Sequence, residues 1–171
     1  EGPRSLWRAT ALWLLGGAHI VRGDAAAADS ALAEAVAVAP GVGTSGFYAL
    51  ALRASLAIAR GDWHAAEPLA RESQAGFERT HLDGVLSALM VHAVAARISI
   101  RRGDLARGRE ELVRAQLVRP LASHALPWAS VLGQLELARA YLAVSDPAGA
   151  RSVISDAEAI LRRRPDLGVL P

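Results

Sequence analysis

The stretch Arg101-Arg102-Gly103-Asp104-Leu105 lies between two apolar segments of helical periodicity, and its Gly-Asp pair recurs at Gly23-Asp24 and Gly61-Asp62. A fourth copy falls at Ser145-Asp146, so the successive intervals are 38, 42 and 42 residues. Self-similarity at that period is the mark of stacked supersecondary units. The dipeptide has a physical task at each junction. Glycine takes the left-handed conformation that closes one helix, and aspartate caps the free N–H groups of the next. At the fourth junction Pro147 suits the first helical position, but Ser145 fits the glycine's role less well. That turn is expected to be the weakest, by up to about 1 kcal/mol.

Working outward from the junctions, Pro40 and Pro120 stand where the second helix of the first and third copies should end. The pattern predicts helices near 4–21, 24–39, 46–60, 62–79, 84–101, 104–118, 125–144 and 147–163, grouped as repeats at about 4–40, 45–80, 83–120 and 124–164. Five residues after each glycine position stand small residues, Ala28, Ala66, Gly108 and Ala150, and seven before it stand Gly16, Ala54, Ala96 and Ala138. Close helix–helix approach needs them. Leu32, Ala70, Leu112 and Ile154, followed by Ala35, Ser73, Ala115 and Ala157, complete one stripe expected to be buried. The expected fold is all-α: a superhelix of about four antiparallel helix pairs, an αα-solenoid, forming a single helical-repeat domain over 1–171.

Composition agrees. At 52% hydrophobic the chain is too apolar for a disordered tail, and because alanine supplies much of that share while aromatics are only 5%, close-packed helices are favoured over a sheet. All 19 basic residues are arginine, yet the net charge is only +2. Arginines alternate with acids, as in Arg107 with Glu111 and Glu110 with Arg114, which reads as solvated helix surface. The absence of cysteine excludes disulfides, thiolate metal sites and cysteine nucleophiles, and fits a cytoplasmic protein.

The register of small, small, large and small residues followed by proline resembles the tetratricopeptide repeat. The long period and the missing aromatic positions mark a divergent member, with Tyr141 alone keeping the first-helix tyrosine. A closer resemblance runs from Ala93 to the end, carried by Arg101-Arg102-Gly103-Asp104-Leu105, Ala125-Leu126-Pro127-Trp128, Glu136-Leu137-Ala138-Arg139-Ala140-Tyr141-Leu142 and Arg162-Arg163-Arg164-Pro165-Asp166-Leu167-Gly168. It extends more loosely to Gly61-Asp62-Trp63. These stretches are similar to the helical-repeat region of large actinobacterial LuxR-family transcriptional regulators. The resemblance implies an ATP-binding domain before the repeats and a helix-turn-helix domain after them, with the repeats sensing an effector or a regulatory protein. Neither ATP hydrolysis nor DNA binding can be assigned to this segment, since a phosphate-binding loop needs a lysine and the chain has none, and the residues after Pro165 do not continue into a helix-turn-helix. The sequence is therefore expected to be a fragment of a larger protein, with a stand-alone tetratricopeptide-like interaction scaffold as the alternative.

Other motifs carry less. Gly41-Val42-Gly43-Thr44-Ser45-Gly46 matches the dinucleotide-binding glycine pattern, but it follows a helix end instead of a strand and reads as a loop between repeats, with Thr44 or Ser45 capping the next helix. The five histidines show no i,i+4 pair, and no nucleophile elbow is present, so no metal, cofactor or catalytic residue is expected and the chain is not expected to be an enzyme. The apolar run Leu6 to Val21 is interrupted by Arg8 and His19, and Val85 to Ile100 is too short to span a bilayer. Arg162-Arg163-Arg164 suits a helix C-terminus, and the net charge is too small for an extensive phosphate track, so no direct nucleic-acid contact is expected.

Binding is the expected activity. In tetratricopeptide-like folds the first helix of each pair lines a concave groove, which implies Trp13, Tyr48, Met90, Arg97, Arg101, Leu135 and Arg139 as the residues facing a peptide, protein or small-molecule effector. Ile20, Ser55, Ile58 and Leu142 share the register. Arg97 and Arg139 stand out, because arginine on an otherwise apolar helix is costly without a partner. Trp128 is expected to staple the third and fourth repeats or cover the groove. The apolar face around Leu6, Trp7 and Leu14 needs a cover, either further domains of a parent protein or a second copy.

Overall fold

A computed structural model describes residues 2–38, 43–82 and 84–165. The fold is all-α. Eight α-helices are seen among the described residues: α1 (Gly2–Val21), α2 (Ala25–Val38), α3 (Gly43–Ala59), α4 (Trp63–Thr80), α5 (Leu86–Arg101), α6 (Leu105–Val118), α7 (Pro127–Ala143) and α8 (Pro147–Arg163). A short 3-10 turn, Arg119–Leu121, follows α6. The chain divides into two compact units, Glu1–Leu82 and Asp83–Leu167, each holding two helix pairs. In the first, α1 packs on α2 and α3, α2 on α3, and α3 on α4. In the second, α5 packs on α6 and α7, and α7 on α8.

The pairs fold at the four junctions by one mechanism. Gly23, Gly61 and Gly103 have φ of 76°, 78° and 83°, and Ser145 takes the same left-handed conformation at 59°. Their N–H groups return to the carbonyls of Ile20, Ile58, Ile100 and Leu142 at 2.9–3.0 Å. The following aspartate N–H groups reach back to His19, Ala57, Ser99 and Tyr141, each at 2.9 Å. This pair of hydrogen bonds closes the first helix by satisfying carbonyls that would otherwise be orphaned. The aspartate side chains then open the second: Asp24, Asp62 and Asp104 Oδ1 accept from the N–H groups of Ala27, Ala65 and Arg107 at 3.0 Å, and Asp146 Oδ1 from Gly149 at 2.8 Å.

So tight a turn forces the paired helices together where the small residues stand. A Cβ added to Gly108 would lie 2.6 Å from Ile100 Cγ1, and one added to Gly16 would lie 2.6 Å from Leu32 Cδ2. Ala28, Ala54, Ala66, Ala96, Ala138 and Ala150 are all buried. The second-helix stripe is buried as expected except at Ile154, which is exposed on α8. Pro40 lies outside the described residues. Pro120 follows the end of α6, inside the 3-10 turn. Gly43 to Gly46 form the first turn of α3, so Thr44 and Ser45 are helical and do not cap it; Ser45 Oγ instead lies 3.1 Å from Thr10 Oγ1 on α1.

Two substitutions test the junction mechanism by chemical denaturation. Ser145→Gly removes the Cβ penalty at positive φ and should raise stability by up to about 1 kcal/mol. Asp104→Ala removes a cap and should cost about 1 kcal/mol.

Candidate functional site

The residues expected to face a partner fall into three environments. Tyr48 and Met90 are core residues, only 2% and 1% exposed, and so are Ile20 and Ile58. This corrects their assignment to a binding face. Central α3 and α5 are buried nearly all round, with every residue from Ala88 to Ala96 buried, and register cannot pick a solvent face on such a helix. Burial pushes the Tyr48 phenol well above its ordinary pKa. Trp13 is half-buried and meets the Tyr48 ring edge-on at 5.6 Å between centroids. Leu135 and Trp128 are half-buried, while Arg101 and Leu142 are exposed.

Arg97 and Arg139 are brought together, but by an internal partner. Glu136, buried on α7, accepts from Arg97 Nη1 through Oε2 and from Arg139 Nη1 through Oε1, both at 2.5 Å. The Arg97 bond ties α5 to α7. The cost of burying these arginines is met within the fold, which redirects the argument that singled them out.

Sequence reasoning missed a second buried carboxylate. Glu111 is fully buried on α6, where its Oε2 lies 2.8 Å from His92 Nδ1 on α5 and its Oε1 lies 2.9 Å from Arg107 Nη2. Arg114 approaches the same oxygen at 3.7 Å, and Glu110 pairs with Arg107 at 3.3 Å, so the expected Arg107–Glu111 pair is made around a carboxylate that is buried and not on a solvated surface. Burial alone raises the Glu111 pKa. The His92 hydrogen bond and the charges of His92, Arg107 and Arg114 outweigh it and hold the carboxyl below its ordinary range. As an ionised carboxylate can only accept, His92 Nδ1 is the donor.

Among the described residues, exposed large apolar side chains gather on α1 and on α6. On α1, Leu6, Trp7, Leu14 and Leu15 are exposed. On α6, Val113 and Leu117 are 62% and 76% exposed, beside a cleft of about 520 Å³ between α6 and the end of α7, bounded by Leu112, Gln116, Tyr141 and Val144. Among the described residues no cluster of His, Cys, Asp or Glu is arranged to hold a metal, and no described helix is long and apolar enough to cross a membrane.

No protein-family model matches the chain, and no curated protein matches it. Among solved structures it is similar to BtubC (BKLC) from P. vanneervenii, with a TM-score of 0.56 and 15% sequence identity. The match covers 95% of this chain and spans 66% of the BtubC chain. At that identity the likeness speaks for the fold alone.

Glu111 generates a pH prediction. A carboxyl with a depressed folded pKa contributes stability that is present above the unfolded value, about 4.3, and lost as pH falls through the folded one. Glu111→Gln should therefore cost about 3 kcal/mol at neutral pH, as breaking a buried pair does. The gap between wild type and variant in urea titrations should narrow below about pH 4.

Proposed function

We propose that this chain is a non-catalytic, ligand-sensing or protein-interaction domain of a LuxR-family transcriptional regulator. The observation that carries the interaction half is the apolar α6 surface. Val113 and Leu117 are exposed on a helix whose opposite side is anchored by the buried Glu111–His92 pair and by Leu112, Ala115 and Val118. A large exposed apolar pair on a rigid helix marks a contact surface more readily than a solvated one. The LuxR assignment draws on the motifs from Arg101 to Gly168, and the tandem helix pairs suit it, since such units present surfaces instead of enclosing an active site. In this reading a bound effector or partner biases the array between two arrangements and so acts on distant output domains. The proposed partners are a peptide, protein or small-molecule effector and the other domains of the parent regulator. The same surfaces would serve a stand-alone scaffold.

The native reading frame separates these two: an ATP-binding segment before the repeats and a helix-turn-helix after them is the expected finding, and a frame lacking both overturns the regulator. The ATP-binding segment of that frame, titrated against this chain by calorimetry, should bind. Val113→Glu combined with Leu117→Glu should weaken that binding at least about tenfold. Affinity unchanged by the pair of substitutions would rule out the α6 surface.

A further inference from the structure

Helix α1 is apolar on two sides. Its inner side meets α2 and α3, with Ala9, Gly16 and Ile20 buried. On the opposite side Trp7, Ala11, Leu14, Leu15 and Ala18 are exposed, Trp7 by 76%. Trp7, Ala11, Leu14 and Ala18 follow one another at intervals of four, three and four, the spacing of a helix–helix seam. Arg8 is the one charged residue from 6 to 18. It lies to the side of the seam and pairs with Glu34 of α2 at 2.5 Å, which also ties α1 to its support. A seam without charge gives a charged partner nothing to pair with and sets no like charges against a second copy of itself.

The shape of the seam selects its occupant. Large and small residues alternate along it, so a partner helix must be small where α1 is large. A second α1 running antiparallel meets that condition. Trp7 and Ala18 are equally far from a point between residues 12 and 13, and so are Ala11 and Leu14. A two-fold axis through that point lays Trp7 on Ala18 of the second copy and Leu14 on its Ala11, and symmetry repeats both contacts. A parallel alignment sets Trp7 against Trp7 and alanine against alanine, overfilling one layer and emptying others. The axis passes near the middle of α1, so the two helices overlap over residues 4–21, about 27 Å. Each helix N-terminus then lies beside the other's C-terminus, which suits their dipoles.

We propose that this chain forms a two-fold homodimer through α1, with the two helices antiparallel and Trp7 of each copy seated over Ala18 of the other. The seam and its rim offer roughly 500 Å² per copy, so the pair buries about 1,000 Å², the lower end of specific interfaces. Such an area supports a dimer of micromolar affinity. The contact uses only α1 and is independent of the α6 surface, so it stands whether or not the chain belongs to a regulator.

Sedimentation equilibrium on the full chain from about 1 to 200 μM tests this. A monomer–dimer equilibrium with a dissociation constant of about 10 μM is expected. Trp7→Ala empties a layer and Ala18→Trp overfills it, and each should weaken the dimer at least about tenfold. Combining the two exchanges knob and hole, and should restore the affinity to within about threefold of wild type. Ala11→Glu brings two like charges close to the axis and should weaken the dimer at least about tenfold. All these positions are exposed, so the circular dichroism of each monomer should match wild type. A chain that stays monomeric at 200 μM, roughly twentyfold above the expected constant, overturns the dimer and leaves the face to a different partner. Dimerisation untouched by Ala11→Glu places the interface elsewhere and overturns it too. Loss of the dimer in both single variants without recovery in the combined one overturns the antiparallel register.

Discussion

Every helix pair turns on a single residue held at positive φ, and the small-residue packing follows from it. With only three residues from the end of one helix to the start of the next, the second helix must run back along the first. Positions seven before and five after the turn are then pressed together, which leaves no room for side chains at Gly16 and Gly108 and little at their alanine counterparts. The same turn presents an aspartate where four N–H groups lack partners, so closing one helix and opening the next are one event. Ser145 shows that the backbone geometry is obligatory and the residue type only preferred: tertiary packing and the Asp146 cap hold a non-glycine residue at φ 59°.

Where the local turn logic ends, buried charge takes over. Glu136 joins α5 to α7 through Arg97, and Glu111 joins α5 to α6 through His92, so the central helix of the second unit is fixed on two sides by carboxylates out of contact with water. Such pairs add little net stability over apolar packing, because desolvation consumes most of the Coulombic gain. Their effect is on uniqueness: a sliding displacement of α5 by one turn would separate both inter-helix pairs, leaving each buried carboxylate only the arginines of its own helix and His92 without its acceptor. That is a stronger penalty against misregister than an alanine-rich interface, nearly featureless along its length, can impose by shape.

The helices were legible because their signals are local. Gly-Asp junctions fix the turns within one or two residues, and the small-residue register fixed which faces meet in all but the Ile154 position. The binding face was not legible. Choosing Tyr48 and Met90 required that each first helix present one side to solvent, but the run from Ala88 to Ala96 is apolar on every side and is buried on every side. Glu111 failed in the opposite sense. An acid between Arg107 and Arg114 has the spacing of a surface ion pair, and only its tertiary neighbour, His92, nineteen positions earlier, shows that it points inward.

Charge placement bears on what kind of ligand such a protein can select. Most arginines that contact acids do so within the fold: Arg8 with Glu34, Arg53 with Asp29, Arg97 and Arg139 with Glu136, Arg119 with Asp156. With a net charge of only +2, little field remains to steer a polyanion, and the arginines at 162–164 sit where a helix C-terminus already favours positive charge. Selectivity must then come from single charges placed beside shaped walls.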